Sequence, residues 1–185
     1  MCSSDLGLKH IDMGGKLLQS ARLLIAALAL ATLAGGPAHA EQTATARAAL
    51  EGVSEAAKAW RSDAVLTNVS AEEVGPDGTA EIWDYLFYSP SYGKYGRVSA
   101  RMVAGGEFKV RETGKGPREA IPADFADSDK VIAQARWNGL NLREYILGLT
   151  SRGWAVYPSL KRGQSIIWLD ARTAAYQRTE AIPKK

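Results

Sequence analysis

The sequence predicts an α+β fold: two units, each a helix followed by an antiparallel strand meander, with the helices packed on one side of the sheet. Three observations predict it. Two stretches, 43–60 and 128–138, place apolar residues at three- and four-residue spacing, the period of an amphipathic helix. After each come short runs rich in β-branched and aromatic residues, separated by Gly, Pro and Asp. The order helix, strand, strand, strand thus occurs twice, the pattern of helices layered on an antiparallel sheet.

The first forty residues are expected to be a leader. Residues 1–6, MCSSDL, resemble a translated adapter, so 1–12 are read as upstream of a start at Met13. Lys16 and Arg22 then precede the apolar run Leu23 to Ala34, Gly35-Gly36-Pro37 breaks it, and Ala38-His39-Ala40 fits a small-x-small cleavage site. The run is shorter than the roughly 20 residues a membrane span needs. Residues 13–40 are therefore expected to be a bacterial signal peptide cleaved after Ala40, which sends the protein to the periplasm or outside the cell. No membrane anchor is expected after cleavage.

Cleavage has a chemical consequence. Cys2, His10 and His39 all lie before Glu41, so the remaining segment has neither Cys nor His. That excludes Cys nucleophiles, Ser-His-Asp triads, His general bases and disulfides, and most zinc and copper sites. Removing Lys9, Lys16, Arg22, Asp5 and Asp12 with the leader lowers the net charge from +3 to +2. No basic stripe interleaves with aromatics, so no nucleic-acid partner is expected.

The first unit spans 41–112. Its helix, Thr43 to Trp60, carries Ala46, Ala49, Leu50, Val53, Ala56, Ala57 and Trp60 on one stripe. A strand follows from Asp63 to Val74, then the turn Gly75-Pro76-Asp77-Gly78, in which proline fixes φ and Asp-Gly tolerates positive φ. Thr79 to Ser89 is the densest β-forming run; it puts Trp83, Tyr85 and Phe87 on one face and Ile82, Asp84, Leu86 and Tyr88 on the other. Ser89 to Gly96 reads as a hairpin loop, Gly96 to Ala104 as the returning strand, and Glu107 to Glu112 as a short edge. Residues 113–127, rich in Gly and Pro, read as a linker.

The second unit spans 128–180. Asp127 or Ser128 caps its helix and Gly139 closes it. Strands are expected over Leu142 to Thr150, where LREYILGL also fits a helix, Gly153 to Leu160 and Ser165 to Ala171, with Arg172 to Thr179 continuing the last or adding an edge. Trp83 and Trp154 hold similar places in the two units, and Val98 is expected to match Ile166.

The second unit resembles the PepSY family. The resemblance rests on SDKVIAQARWNG leading to GWAVYPSL and SIIWLDARTAAY, where Leu169-Asp170-Ala171-Arg172-Thr173 follows the family's strand-end pattern and Ala174 stands in place of its glycine. It covers about 50 residues. It implies a cystatin-like layout, a helix laid on an antiparallel sheet, and an exported, non-catalytic module, with restraint of peptidases as the activity proposed for such domains.

Candidate sites follow from residue type. The hairpin residues Tyr88, Tyr92, Lys94 and Tyr95 combine rigid aromatic area with adaptable Ser and Gly, the composition of recognition loops. They are the expected contacts for a protein or peptide partner in the cell envelope; the competing reading is that the tyrosines only cover a sheet edge. Trp83, Tyr85, Phe87, Trp154 and Trp168 are the candidates for a ligand groove, as against an ordinary core. Asp84 and Asp170 are the carboxylates set in apolar strands, and such a pair can run glycosidase or protease chemistry without His, although Asp170 is expected to end its strand and bond turn amides. The function expected is a binding module without cofactor or metal, not an enzyme; the alternative is a carrier of small apolar ligands.

Overall fold

The computed structural model describes residues 42–102, 107–158 and 165–181. The expected adapter segment and signal peptide, and the turns at Gly105-Gly106 and Lys161-Arg162-Gly163, lie outside the described residues. The described residues form an α+β fold with two helices and an eight-stranded antiparallel sheet. Helix α1 is Leu50–Trp60 and is followed by β1 (Val65–Val74), β2 (Ile82–Ser89), β3 (Lys94–Arg101) and β4 (Arg111–Thr113). Helix α2 is Ser128–Trp137, followed by β5 (Tyr145–Thr150), β6 (Gly153–Pro158), β7 (Ser165–Leu169) and β8 (Tyr176–Ala181). Each helix thus precedes four strands, the fourth in each half being the edge read at 107–112 and at 172–179.

The sheet order is β4-β3-β2-β1-β5-β6-β7-β8. The two meanders run outward in opposite directions from the central pair β1·β5, joined through Val69↔Leu149, Ser70↔Gly148 and Ala71↔Leu147. The result is one continuous sheet with one core. Both helices lie over the same face. That face carries Val69, Ala71, Trp83, Tyr85, Phe87, Val98, Leu147, Leu149, Trp154, Val156, Ile167 and Leu169, all buried. The alternation of a strand puts their neighbours Ser70, Asp84, Ser99, Ile146, Tyr157, Ile166 and Trp168 on the opposite face. Ile167, not Ile166, therefore matches Val98 in facing the helices.

Helix α1 begins seven residues later than its apolar stripe suggests. Ala44 exchanges two backbone hydrogen bonds with Ala80, at 3.1 and 3.0 Å. The Ala46 and Arg47 amides are taken by the Ser128 hydroxyl and the Asp127 carboxylate. These tertiary partners satisfy amides that a helical first turn would leave free. Helix α2 follows its sequence signals more closely: Asp127 is the N-cap and accepts from the Ser128 amide at 2.9 Å. Gly139, at φ 91°, turns the chain after Trp137, and its amide bonds the Arg136 carbonyl.

Candidate functional site

The helix-covered face is sealed. Trp83 and Tyr85 are fully buried, and each spends its polar atom on the backbone leading into α1: the Trp83 indole donates to the Ala44 carbonyl at 2.8 Å and the Tyr85 hydroxyl to the Ala46 carbonyl at 2.6 Å. Trp154 repeats the arrangement in the second half, donating to the Ala126 carbonyl at 3.0 Å while Phe125 meets its ring edge-on at 5.9 Å. Phe87 is buried beside them. Trp83, Tyr85, Phe87 and Trp154 are thus core residues, not the lining of a groove: packing and hydrogen bonding consume the surface a ligand would need. Trp168 does not extend this set, because it lies on the other face. There the Arg178 guanidinium stacks over its ring at 4.7 Å and its indole donates to Glu180 at 3.0 Å.

The hairpin residues part company. The β2·β3 ladder runs on to Ser89↔Lys94, so Lys94 to Gly96 belong to β3 and the loop shrinks to Pro90–Gly93. The turn is fastened from outside by Asp63, whose carboxylate accepts from the Ser89 hydroxyl and the Ser91 amide, both at 2.7 Å. Those two bonds hold the Asp63 carboxyl down at about 2. Tyr88 and Tyr95 lie opposite each other with ring centroids 4.9 Å apart. The linker crosses them: Gly116 sits against Leu86 and Tyr95, and Arg118 reaches the Tyr95 hydroxyl at 3.3 Å and lies over the Tyr88 ring. Tyr95 is consequently only 7 % exposed. Tyr92, at 61 %, and Lys94 remain at the surface, Tyr92 with the Arg61 guanidinium 4.2 Å over its ring.

Asp84 and Asp170 do not meet. Strands β2 and β7 are four places apart in the sheet, roughly 19 Å at the usual spacing and beyond the carboxylate separation of glycosidases. Asp170 instead accepts from the Arg172 and Thr173 amides and the Thr173 hydroxyl, which lowers its pKa. Asp84 accepts from the Ser99 hydroxyl and faces Arg97 at 4.0 Å.

The linker covers only one end of the uncovered face. Toward the other end lies a groove of about 530 Å³, floored by Ser70, Ile82 and Ile146 and bordered by Glu72, Glu73, Glu81, Asp84 and Glu144. Glu81 is paired with Arg101 at 2.6 Å. Among the described residues no ion pair involves Glu72, Glu73 or Glu144, and no three acidic groups gather closely enough to chelate a metal ion. The acids come from both halves of the sheet. Register irregularities flank the central strand here: between Ala71 and Val74, Glu73 takes a positive φ of 57°, and β1 bears two successive exposed acids. The Glu72-Glu73 pair puts two successive acids at positions that alternation would send to opposite faces. That is the signal by which the groove was legible in the sequence, and it was missed there.

No protein-family model matches the chain, and neither a curated protein nor a solved structure does. No helix among the described residues is long and apolar enough to cross a membrane.

Proposed function

We propose that this protein is an exported, non-catalytic binding module that holds a basic segment of a protein or peptide partner on the uncovered face of its sheet. The observation that carries the proposal is the asymmetry of that sheet: helices seal one face, while the other presents an apolar-floored groove rimmed by five carboxylates, three of which form no ion pair among the described residues. A Lys or Arg side chain supplies the missing charge, and its methylene stem suits Ile82 and Ile146. Tyr92 and Lys94, at the opposite end of the strands, are a separate surface.

A PepSY-like origin belongs to this reading. Its support is the order helix then antiparallel strands in each half, together with the paired use of Trp83 and Trp154, each bonded to the backbone ahead of its own helix. On this reading the halves are tandem copies, and restraint of a peptidase is one form the binding takes.

The test is chemical-shift mapping with the segment 41–185 and two short amphipathic peptides, one alternating Lys with Leu and one alternating Glu with Leu. The lysine peptide should shift Ser70, Glu72, Ile82 and Ile146, and the glutamate peptide should not. Shifts confined to other surfaces, or equal responses to both peptides, would remove the groove from consideration.

A further inference from the structure

Strand β8 is the free edge of the sheet among the described residues. All six of its residues, Tyr176 to Ala181, are exposed. The cause is topological: α2 packs on β6 and β7 and stops short of β8, which stands uncovered on both faces. The opposite edge, β4, has three residues. A six-residue edge without proline is a template for another strand.

The side chains of β8 indicate which strand. Antiparallel pairing of two β8 strands about Thr179 sets Arg178 of each opposite Glu180 of the other. Both side chains are already held on the face away from the helices. Arg178 lies over Trp168 at 4.7 Å, Glu180 accepts from the Trp168 indole at 3.0 Å, and the two are 3.8 Å apart. A second copy therefore brings four charges of alternating sign around the two-fold axis. This is self-complementarity of the kind an isologous interface requires.

The helix side of the same edge offers a knob and a socket. Beside β8 lies a hollow of about 270 Å³ lined by Leu140, Leu142, Pro158, Ile167 and Thr179. Asn138 and Gly139 complete its rim, and the residue before them, Trp137, is 86 % exposed. Its indole supplies a large amphipathic contact surface next to an apolar hollow, the pairing of anchor and pocket that an interface uses.

We infer that β8 is a homodimer interface: two copies pair β8 to β8 antiparallel about Thr179, join their sheets edge to edge, and cover Trp137 and the adjoining hollow at the seam. This conclusion is independent of what occupies the acidic groove, since β8 and the groove are separated by β6 and β7.

The experiment is mass determination by sedimentation across a dilution series of segment 41–185. The wild type should move from monomer to dimer as concentration rises. Arg178→Glu places like charges opposite each other twice and should raise the dimer dissociation constant by at least about tenfold. The exchange Arg178→Glu with Glu180→Arg should restore it, and Trp137→Ala should weaken it without lowering the melting temperature measured at concentrations where both proteins are monomeric. A wild type monomeric at every concentration overturns the inference. So does a dimer that Arg178→Glu leaves intact, or one that the exchange fails to restore.

Discussion

The Ser128 hydroxyl donates to the Gly78 carbonyl oxygen at 2.6 Å, joining the first residue of α2 to the β1–β2 turn fifty positions earlier. The Ser128 hydroxyl oxygen in turn accepts from the Ala46 amide at 2.9 Å. One fully buried side chain thus ties three segments that the sequence keeps apart. Ser128→Ala leaves a buried carbonyl and a buried amide without partners, each costing about 1–3 kcal/mol. The expected outcome is a loss of about 2–6 kcal/mol in denaturant unfolding, with the shape of the transition unchanged.

The same junction makes Gly78 irreplaceable. It sits at φ 82°, and a Cβ there would lie 2.5 Å from the backbone nitrogen and Cα of Asp129. Gly93, at φ 62°, has nothing within 4 Å of the same position. Gly93→Ala should therefore cost only the backbone penalty, about 1–2 kcal/mol. Gly78→Ala adds a collision with a helix terminus that cannot move aside, so it should destabilise more. Parallel thermal melts of the two variants separate the contributions.

Two groups contribute to the pH dependence of the fold from opposite ends. Asp63 is depressed to about 2 by its bonds to Ser89 and Ser91, from an ordinary value of 3.8. Its contribution is present above 3.8 and lost as pH falls toward 2. Burial, aided by the negative charge of Asp127, raises the Tyr85 phenol above its ordinary 10.0. Its contribution is present below 10 and lost as pH rises beyond it, because the unfolded chain ionises first. Asp63→Asn should flatten part of the acid limb of melting temperature against pH. Tyr85→Phe should flatten the alkaline limb while lowering the plateau through the lost bond to Ala46.

The division between what the sequence shows and what it hides is clearest along β2. Its alternation identified the strand, the Trp83, Tyr85 and Phe87 face, and the Asp77-Gly78 turn before it, because period and turn chemistry are local. It did not show which face the helices take, nor that residues 114–118 would cover Tyr88 and Tyr95, because those are long-range packing decisions. The start of α1 was hidden for the same reason: Ala44 prefers a partner, Ala80, thirty-six residues away. The acidic groove assembles Glu72, Glu81 and Glu144 from three separate segments, so only Glu72-Glu73 left a local trace.

The hairpin tyrosines should respond oppositely to truncation. Tyr92 is exposed, with the Arg61 guanidinium over its ring, so Tyr92→Ala should cost less than about 1 kcal/mol. Tyr95 packs between Tyr88, Gly116 and Arg118, so Tyr95→Ala opens a gap beneath the linker and should cost about 3–5 kcal/mol if the site cannot collapse. Only the first substitution tests a surface contact. A loss of partner affinity in Tyr92→Ala at unchanged melting temperature assigns the hairpin a binding role of its own; unchanged affinity leaves it as a turn fastened by Asp63.

The acids of the groove should show a trade between stability and binding. Glu72, Glu73 and Glu144 repel one another across the central strands and have no cation among the described residues to offset that. Changing all three to Gln removes the repulsion and should leave the melting temperature equal or slightly higher. The same change removes three attractions, each worth about 0.2–1 kcal/mol when exposed, so the lysine peptide should bind about tenfold more weakly. Wild-type affinity should also fall as salt rises, since screening acts over about 10 Å at 0.1 M, and the triple variant should lose most of that dependence. Melting and affinity moving in opposite directions is the signature of charges kept for a partner. If both fall together, the acids serve the fold, and the groove loses its claim.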